Sequence, residues 1–228
     1  MKYTALTDHL SCTFPLKDDD IEIMRFYLKF ISIVGNEFTG FVNRNVGING
    51  WERSYNIGNN GVIFAIGGQR GRAYLNIPGN ACTLISQSSW KPFKELLSEE
   101  YDGKITRWDG AVDDYEGKHE FNFALKQYYS GGFNNGGNRP QLSQRGNWEF
   151  EDGKGKTLYI GNRDNGKYLR IYEKGKQLGD SNSKWIRWEI ELRSKDRVIP
   201  WDGKWIPEAD PNAGSKANEL FGQKAGKW

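Results

Sequence analysis

Three short segments carry side chains able to work on a phosphodiester. In ITRWDGAVDDY, strand alternation puts Arg107, Asp109 and Asp113 on one face and Trp108, Val112 and Asp114 on the other, so two carboxylates converge beside an arginine. In KWIRWEIELRSK, Arg187, Glu189, Glu191 and Arg193 share a face, and Trp188, Ile190 and Leu192 make the opposite one apolar. In GKYLRIYEKGK, Tyr168, Arg170, Tyr172 and Lys174 share a face, with Leu169 and Ile171 behind them. If the three are neighbouring strands, they form one surface of carboxylates, tyrosines, arginines and a lysine. Carboxylate oxygens suit Mg2+ or Mn2+, and such an ion polarises a phosphoryl oxygen. Arginine and lysine offset phosphate charge, and a tyrosine hydroxyl can attack to give a covalent intermediate. Each segment alone has a plainer meaning. Alternating Arg and Glu is usually a solvated face with cross-strand pairs, Asp113-Asp114 can open a turn, and Tyr-x-Arg-x-Tyr is a common sheet pattern. Their coincidence is what points to chemistry.

The elements that must hold these segments can be read from periodicity. Tyr3 to Leu16 alternates as a half-buried strand, with Leu10, Cys12 and Phe14 on one side. After Asp18, Asp19 and Asp20 the period becomes helical, with Ile21, Met24, Leu28 and Ile31 at helical spacing and Gly35 as the stop. Between Trp51 and Leu84 the runs Val62 to Ile66 and Ala73 to Ile77, broken by glycines, suggest an antiparallel meander. GGQRG at Gly67 lacks the spacing of a phosphate loop and reads as a turn. Ser89 heads a helix with a Trp90, Phe93, Leu96, Leu97 stripe, Lys104 to Tyr115 is a strand, and Glu120 to Tyr129 a helix with Phe121, Leu125 and Tyr128 inward. His119 is expected at that helix start, exposed. GGFNNGGN from Gly131 reads as a flexible loop. Strands are then expected over Gln141 to Phe150, Thr157 to Gly161, Tyr168 to Lys174 and Trp185 to Arg193, joined by Gly-rich hairpin turns. The fold class is α+β: a mainly antiparallel sheet, with about three helices on one face and the other left for a ligand.

Composition narrows the function. The 228 residues are 37% hydrophobic but 14% aromatic, with 7 prolines, which fits a folded chain whose core leans on rings. No apolar run is long enough to span a bilayer and no signal peptide opens the chain, so neither membrane nor export is expected. Cys12 and Cys82 match no metal or disulfide spacing, and a reducing cytosol is the simple reading. With two histidines, His9 and His119, a metal must be held mostly by carboxylates. The net charge of +3 is uneven: Arg139 to Arg197 holds 14 basic and 9 acidic residues, whereas Met1 to Asn138 holds 14 and 16. That basic segment also carries Trp148, Tyr159, Tyr168, Tyr172, Trp185 and Trp188, the ingredients of a nucleic-acid surface.

GRAYLNIPGNAC, ITRWDGAVDD, KTLYIGNRDNGKYLRIYEKGKQLG and WIRWEIELRSKDR together resemble the replication initiation factor family, which includes rolling-circle initiators of filamentous phages and small plasmids and related relaxases. The resemblance runs from about Asp8 to Trp201. It implies a saddle-like sheet in a nicking domain over 1–201, followed by a divergent tail over 202–228. It also implies metal-dependent nicking of one DNA strand through a 5′-phosphotyrosine. The family pattern Arg-x-Tyr-x-Lys falls on Arg170, Tyr172 and Lys174, making Tyr172 the expected nucleophile with Tyr168 second. Arg-x-Asp falls on Arg107 and Asp109, and Arg-x-Glu on Arg187 and Glu189. The expected Mg2+ or Mn2+ ligands are Asp109 and Glu189 with Asp113 and Glu191, and the expected DNA contacts are Arg107, Arg163, Lys167, Arg187 and Arg193. Single-stranded or supercoiled origin DNA, a host helicase and a second copy of the chain are the implied partners, in the cytoplasm. Two other readings stand beside it: a non-catalytic origin-binding relative, and a carbohydrate-binding or glycosidase domain using paired carboxylates.

Overall fold

A computed structural model of the chain describes residues 3–134, 137–150, 152–194 and 198–201; the expected tail over 202–228 lies outside them. The chain forms two compact units, centred on Thr7–Asp109 and Gly110–Leu192, and strands β1 (Tyr3–Pro15) and β6 (Lys104–Asp114) each contribute to both. No helix among the described residues is long and apolar enough to cross a membrane.

In the Thr7–Asp109 unit, β2 (Phe41–Asn43), β3 (Arg53–Ile57), β4 (Val62–Ile66) and β5 (Arg72–Pro78) form the expected antiparallel meander, and β5 pairs with β1. Register sets Leu10, Cys12 and Phe14 opposite Ile77, Leu75 and Ala73, all buried. Onto this face pack α1 (Asp20–Val34), the single turn α2 (Gly79–Cys82) and α3 (Gln87–Glu95), which runs on as a π turn over Leu96–Glu100. Phe26 of α1 lies 4.7 Å from Phe14 and 5.6 Å from Phe64, ring centre to ring centre. Asp19 caps α1 by accepting from the N–H groups of Ile21 and Glu22.

The buried face of α1 is not the one its aliphatic spacing suggests. Ile23, Phe26, Tyr27, Phe30 and Val34 face inward, while Ile21 is 70% exposed and Met24 and Leu28 are exposed too. Both stripes have helical period, and the ring-bearing one wins because aromatic side chains bury more apolar area. At α3 the cap is Ser86, whose hydroxyl accepts from Ser89 N–H, so the helix starts at Gln87 rather than Ser89. Phe93, Leu96 and Leu97 are buried as expected.

In the Gly110–Leu192 unit, β7 (Leu142–Arg145), β8 (Thr157–Asn162), β9 (Lys167–Glu173) and β10 (Ile186–Arg193) pair antiparallel in sequence order, and the end of β6 adjoins β10. Leu158, Ile160, Leu169, Ile171, Ile186 and Trp188 bury one face against Ala124 and Tyr128 of α4 (Phe121–Tyr129) and against Phe133. Phe121 and Leu125 are only partly buried there, and Ala124 takes the central place. Phe133 anchors the glycine-rich segment into the core. The strand expected over Gln141 to Phe150 ends at Arg145; Trp148 turns back, donating from its indole to the Arg145 carbonyl and packing on Phe121. Lys174 opens the single turn α5 (Lys174–Gln177) instead of continuing β9.

Candidate active site

With α4 on one side of β8, β9 and β10, the other side is left to polar residues. Register places Tyr172 opposite Arg187, Arg170 opposite Glu189 and Tyr168 opposite Glu191, so all six project from one face as alternation requires. β8 adds Tyr159, opposite Arg170.

Three carboxylates of this unit are buried, each held by an arginine. Asp113 accepts a two-pronged fork from Arg187, Nε to Oδ1 at 2.7 Å and a terminal nitrogen to Oδ2 at 2.8 Å, and its Oδ1 also accepts from the Trp185 indole at 2.7 Å. Glu189 accepts from Arg170 on Oε1 and from the Tyr172 hydroxyl on Oε2, the latter at 3.0 Å. Glu191 has the Arg163 guanidinium 3.3 Å away. Burying a lone carboxylate is costly, so these arginines are what allow the three to sit almost without water, whereas the equally buried Asp114 accepts from the Glu116 and His119 backbone N–H groups.

Tyr172 is 9% exposed. Its ring lies under the Lys174 ammonium, 5.7 Å from the ring centre. Lys174 therefore stays beside Tyr172, from a helical turn rather than from the strand. A phenol donating to a fixed carboxylate is the arrangement in which a base can take the proton as the oxygen attacks. Tyr168 is half-buried, and burial first, then the neighbouring Tyr159, pushes its hydroxyl above the ordinary tyrosine range.

Asp109 belongs to the other unit, where it accepts from Arg107 at 2.9 and 2.5 Å and is 1% exposed. Together with Asp8 it raises the thiol of Cys82 further, beyond the effect of burial. Both cysteines are free and buried.

Carboxylates are the right donors for Mg2+ or Mn2+, yet no three His, Cys, Asp or Glu among the described residues come together as a cage. Mg2+ does not need one, since it keeps waters and takes one or two carboxylates with substrate phosphates. The candidate carboxylates in this unit are Asp113, Glu189 and Glu191; both oxygens of Asp113 are engaged by Arg187 and Trp185, and both of Glu189 by Arg170 and Tyr172.

Of the expected DNA contacts, Arg163 and Arg193 are exposed, Lys167 is half-buried, and Arg187 is buried in its fork. Sequence reasoning missed Trp185 as a partner of Asp113 and Tyr159 as a partner of Tyr168. It also misjudged His119. The ring is half-buried, with Nδ1 2.9 Å from the Tyr3 hydroxyl, while the His119 N–H donates to Asp114 at 2.7 Å and its carbonyl accepts from the Trp188 indole at 2.8 Å. Nothing in spacing alone separates such a residue from an exposed one.

The family model described as replication initiation factor matches residues 103–224, a span holding all three segments that carry these side chains. The solved structure of a rolling circle replication initiator protein from Geobacillus stearothermophilus is similar to the chain, with 25% identity and a TM-score of 0.65, covering 84% of this chain and 75% of that one. No curated protein matches.

Proposed function

The chain belongs to the replication initiation factor family, and on that premise we propose that it starts rolling-circle replication by nicking one strand of origin DNA through Tyr172. The Tyr172 oxygen attacks the scissile phosphorus as its proton passes to Glu189. An oxygen–phosphorus bond forms, the bond from phosphorus to the 3′ oxygen breaks, and that oxygen takes up a proton to become the priming hydroxyl. The 5′ phosphate stays on the tyrosine. The single observation that carries this reading is the Tyr172 hydroxyl held 3.0 Å from a Glu189 carboxylate that Arg170 fixes from its other side. Arg170 and Lys174 are placed to offset charge developing on the phosphate.

A divalent ion, Mg2+ or Mn2+, belongs to the proposal and would supply further charge neutralisation at the phosphate. Glu189 and Glu191, with Asp113, are its proposed holders in the Gly110–Leu192 unit, and Asp109 is to be tested in its own unit. Origin DNA, a helicase and a second copy of the chain remain proposed partners.

A second reading, a non-catalytic relative that occupies the origin, draws on the burial of Tyr172. Incubating the protein with single-stranded origin DNA and Mn2+ separates the two. The nickase reading expects a protein-linked product that Tyr172→Phe abolishes while DNA binding persists. No adduct from the unaltered chain leaves the binder.

A further inference from the structure

On the same polar face, toward β7, four side chains form a stack that the nicking chemistry does not use. The Tyr159 and Tyr168 rings lie 5.3 Å apart, centre to centre, at 16° to one another. The Arg145 guanidinium covers Tyr159 at 5.6 Å and the Arg163 guanidinium covers Tyr168 at 5.1 Å. Register explains the approach: the residue opposite Tyr168 on β8 is Gly161, whose missing side chain lets the Tyr159 ring lean across the space. Gly161 also has φ +94°, and a Cβ there would meet the Lys167 carbonyl at 2.8 Å.

Apart from the Arg163 contact with Glu191, this stack lies outside the core. Both rings are half-buried, both arginines are exposed, and the apolar cluster lies on the opposite side of the strands. Flat rings capped by exposed guanidinium planes are the chemistry that receives unpaired bases, because a base stacks on a guanidinium plane as it does on a ring and each nucleotide brings a phosphate.

We propose that Tyr159 and Tyr168, flanked by Arg145 and Arg163, form a stacking platform for bases of the single strand beside the scissile phosphate. The proposal rests on the nicking reading for the position of that phosphate. Tyr168 and Tyr172 are four residues apart on one strand, about 13 Å at 3.3 Å per residue. At the 3.4 Å spacing of a stacked strand, that is at most about four nucleotides. In this account Tyr168 holds a base and Tyr172 does the chemistry.

The test measures binding by the full-length Tyr172→Phe protein to a labelled single-stranded oligonucleotide of mixed sequence and to its fully abasic counterpart. Adding Tyr159→Leu should weaken binding to the base-bearing strand by about 5- to 150-fold, the worth of one stacked base. Binding to the abasic strand and the salt dependence should not change, since a ring displaces no counterions. Tyr159→Phe should bind as the parent does. A fluorescent aminopurine moved along the strand should be quenched at one or two positions by the unsubstituted protein, a measurement that needs no folded leucine variant. Equal loss on both strands, no loss on either, or no quenched position would overturn the platform. An adduct formed by Tyr172→Phe would overturn the nucleophile assignment and leave the stacking result intact.

Discussion

On β1 and β5 the face away from the helices carries His9, Ser11, Tyr74 and Asn76. His9 Nε2 lies 3.0 Å from the Ser11 hydroxyl and 2.9 Å from Asn76 Oδ1, and the Tyr74 hydroxyl donates to both Ser11 and Asn76 at 3.2 Å. On β9 and β10 the face away from α4 carries Arg170, Tyr172, Arg187, Glu189 and Glu191, joined through ion pairs whose carboxylates are almost fully buried. Each face is one side of an antiparallel sheet, in its own unit. They differ in what a lost partner costs. Neutral hydrogen bonds contribute about 1 kcal/mol each, whereas a buried charge stripped of its partner costs several. A fold gains little stability from burying ion pairs where apolar side chains would serve. On the proposed nicking reading, the ion pairs kept on one face and not the other supply the fixed charge that chemistry needs.

The comparison can be broken from either side. The largest effect is expected from Glu189→Gln. The amide still accepts from Tyr172 but takes a proton poorly, so adduct formation in a single-turnover assay should slow by about 100- to 10,000-fold, with single-strand binding kept. Next is Arg187→Met, which leaves Asp113 buried with only the Trp185 indole to satisfy it. Denaturant unfolding should show a loss of about 3–5 kcal/mol. A loss under 1 kcal/mol would mean that the fork is ornamental. Ser11→Ala in the neutral network should cost only about 1 kcal/mol and leave adduct formation untouched. If it slowed the adduct as much as Glu189→Gln, the distinction between the faces would fail.

The smallest effect concerns pH. Burial, and then Tyr159, raises the Tyr168 hydroxyl above its unfolded value of about 10. A group with a raised folded value adds stability that is complete below the unfolded value and is lost as pH rises through the folded one. Thermal unfolding of the protein should therefore fall off above about pH 10, and less steeply in Tyr168→Phe. Identical profiles would show that Tyr168 titrates as a free phenol.

The strands that carry the site were legible because period-2 alternation survives in the segments around Asp113, Tyr172 and Glu189, and because hairpin turns punctuate them. Face parity grouped Tyr168, Arg170 and Tyr172 on one side of their strand and Arg187, Glu189 and Glu191 on one side of theirs; that the two sides coincide comes from the register. What alternation could not give is where it stops. Lys174 looks like the next member of the series but starts α5, and only its reach over the Tyr172 ring preserves the association. The buried side of α1 was illegible for another reason. Two apolar stripes share one period there, and choosing between them needs the packing partners Phe14 and Phe64, which are distant in sequence. Partners across strands, such as Trp185 with Asp113 or Tyr159 with Tyr168, depend on register, which composition and spacing do not encode.

The central claim is that Tyr172 becomes covalently joined to DNA. Digesting the adduct formed on single-stranded origin DNA and locating the nucleotide-bearing peptide by mass spectrometry tests it directly. The account predicts the added mass on Tyr172, in a peptide that also holds Ile171 and Glu173; modification of Tyr168, of any other residue, or of none would contradict it.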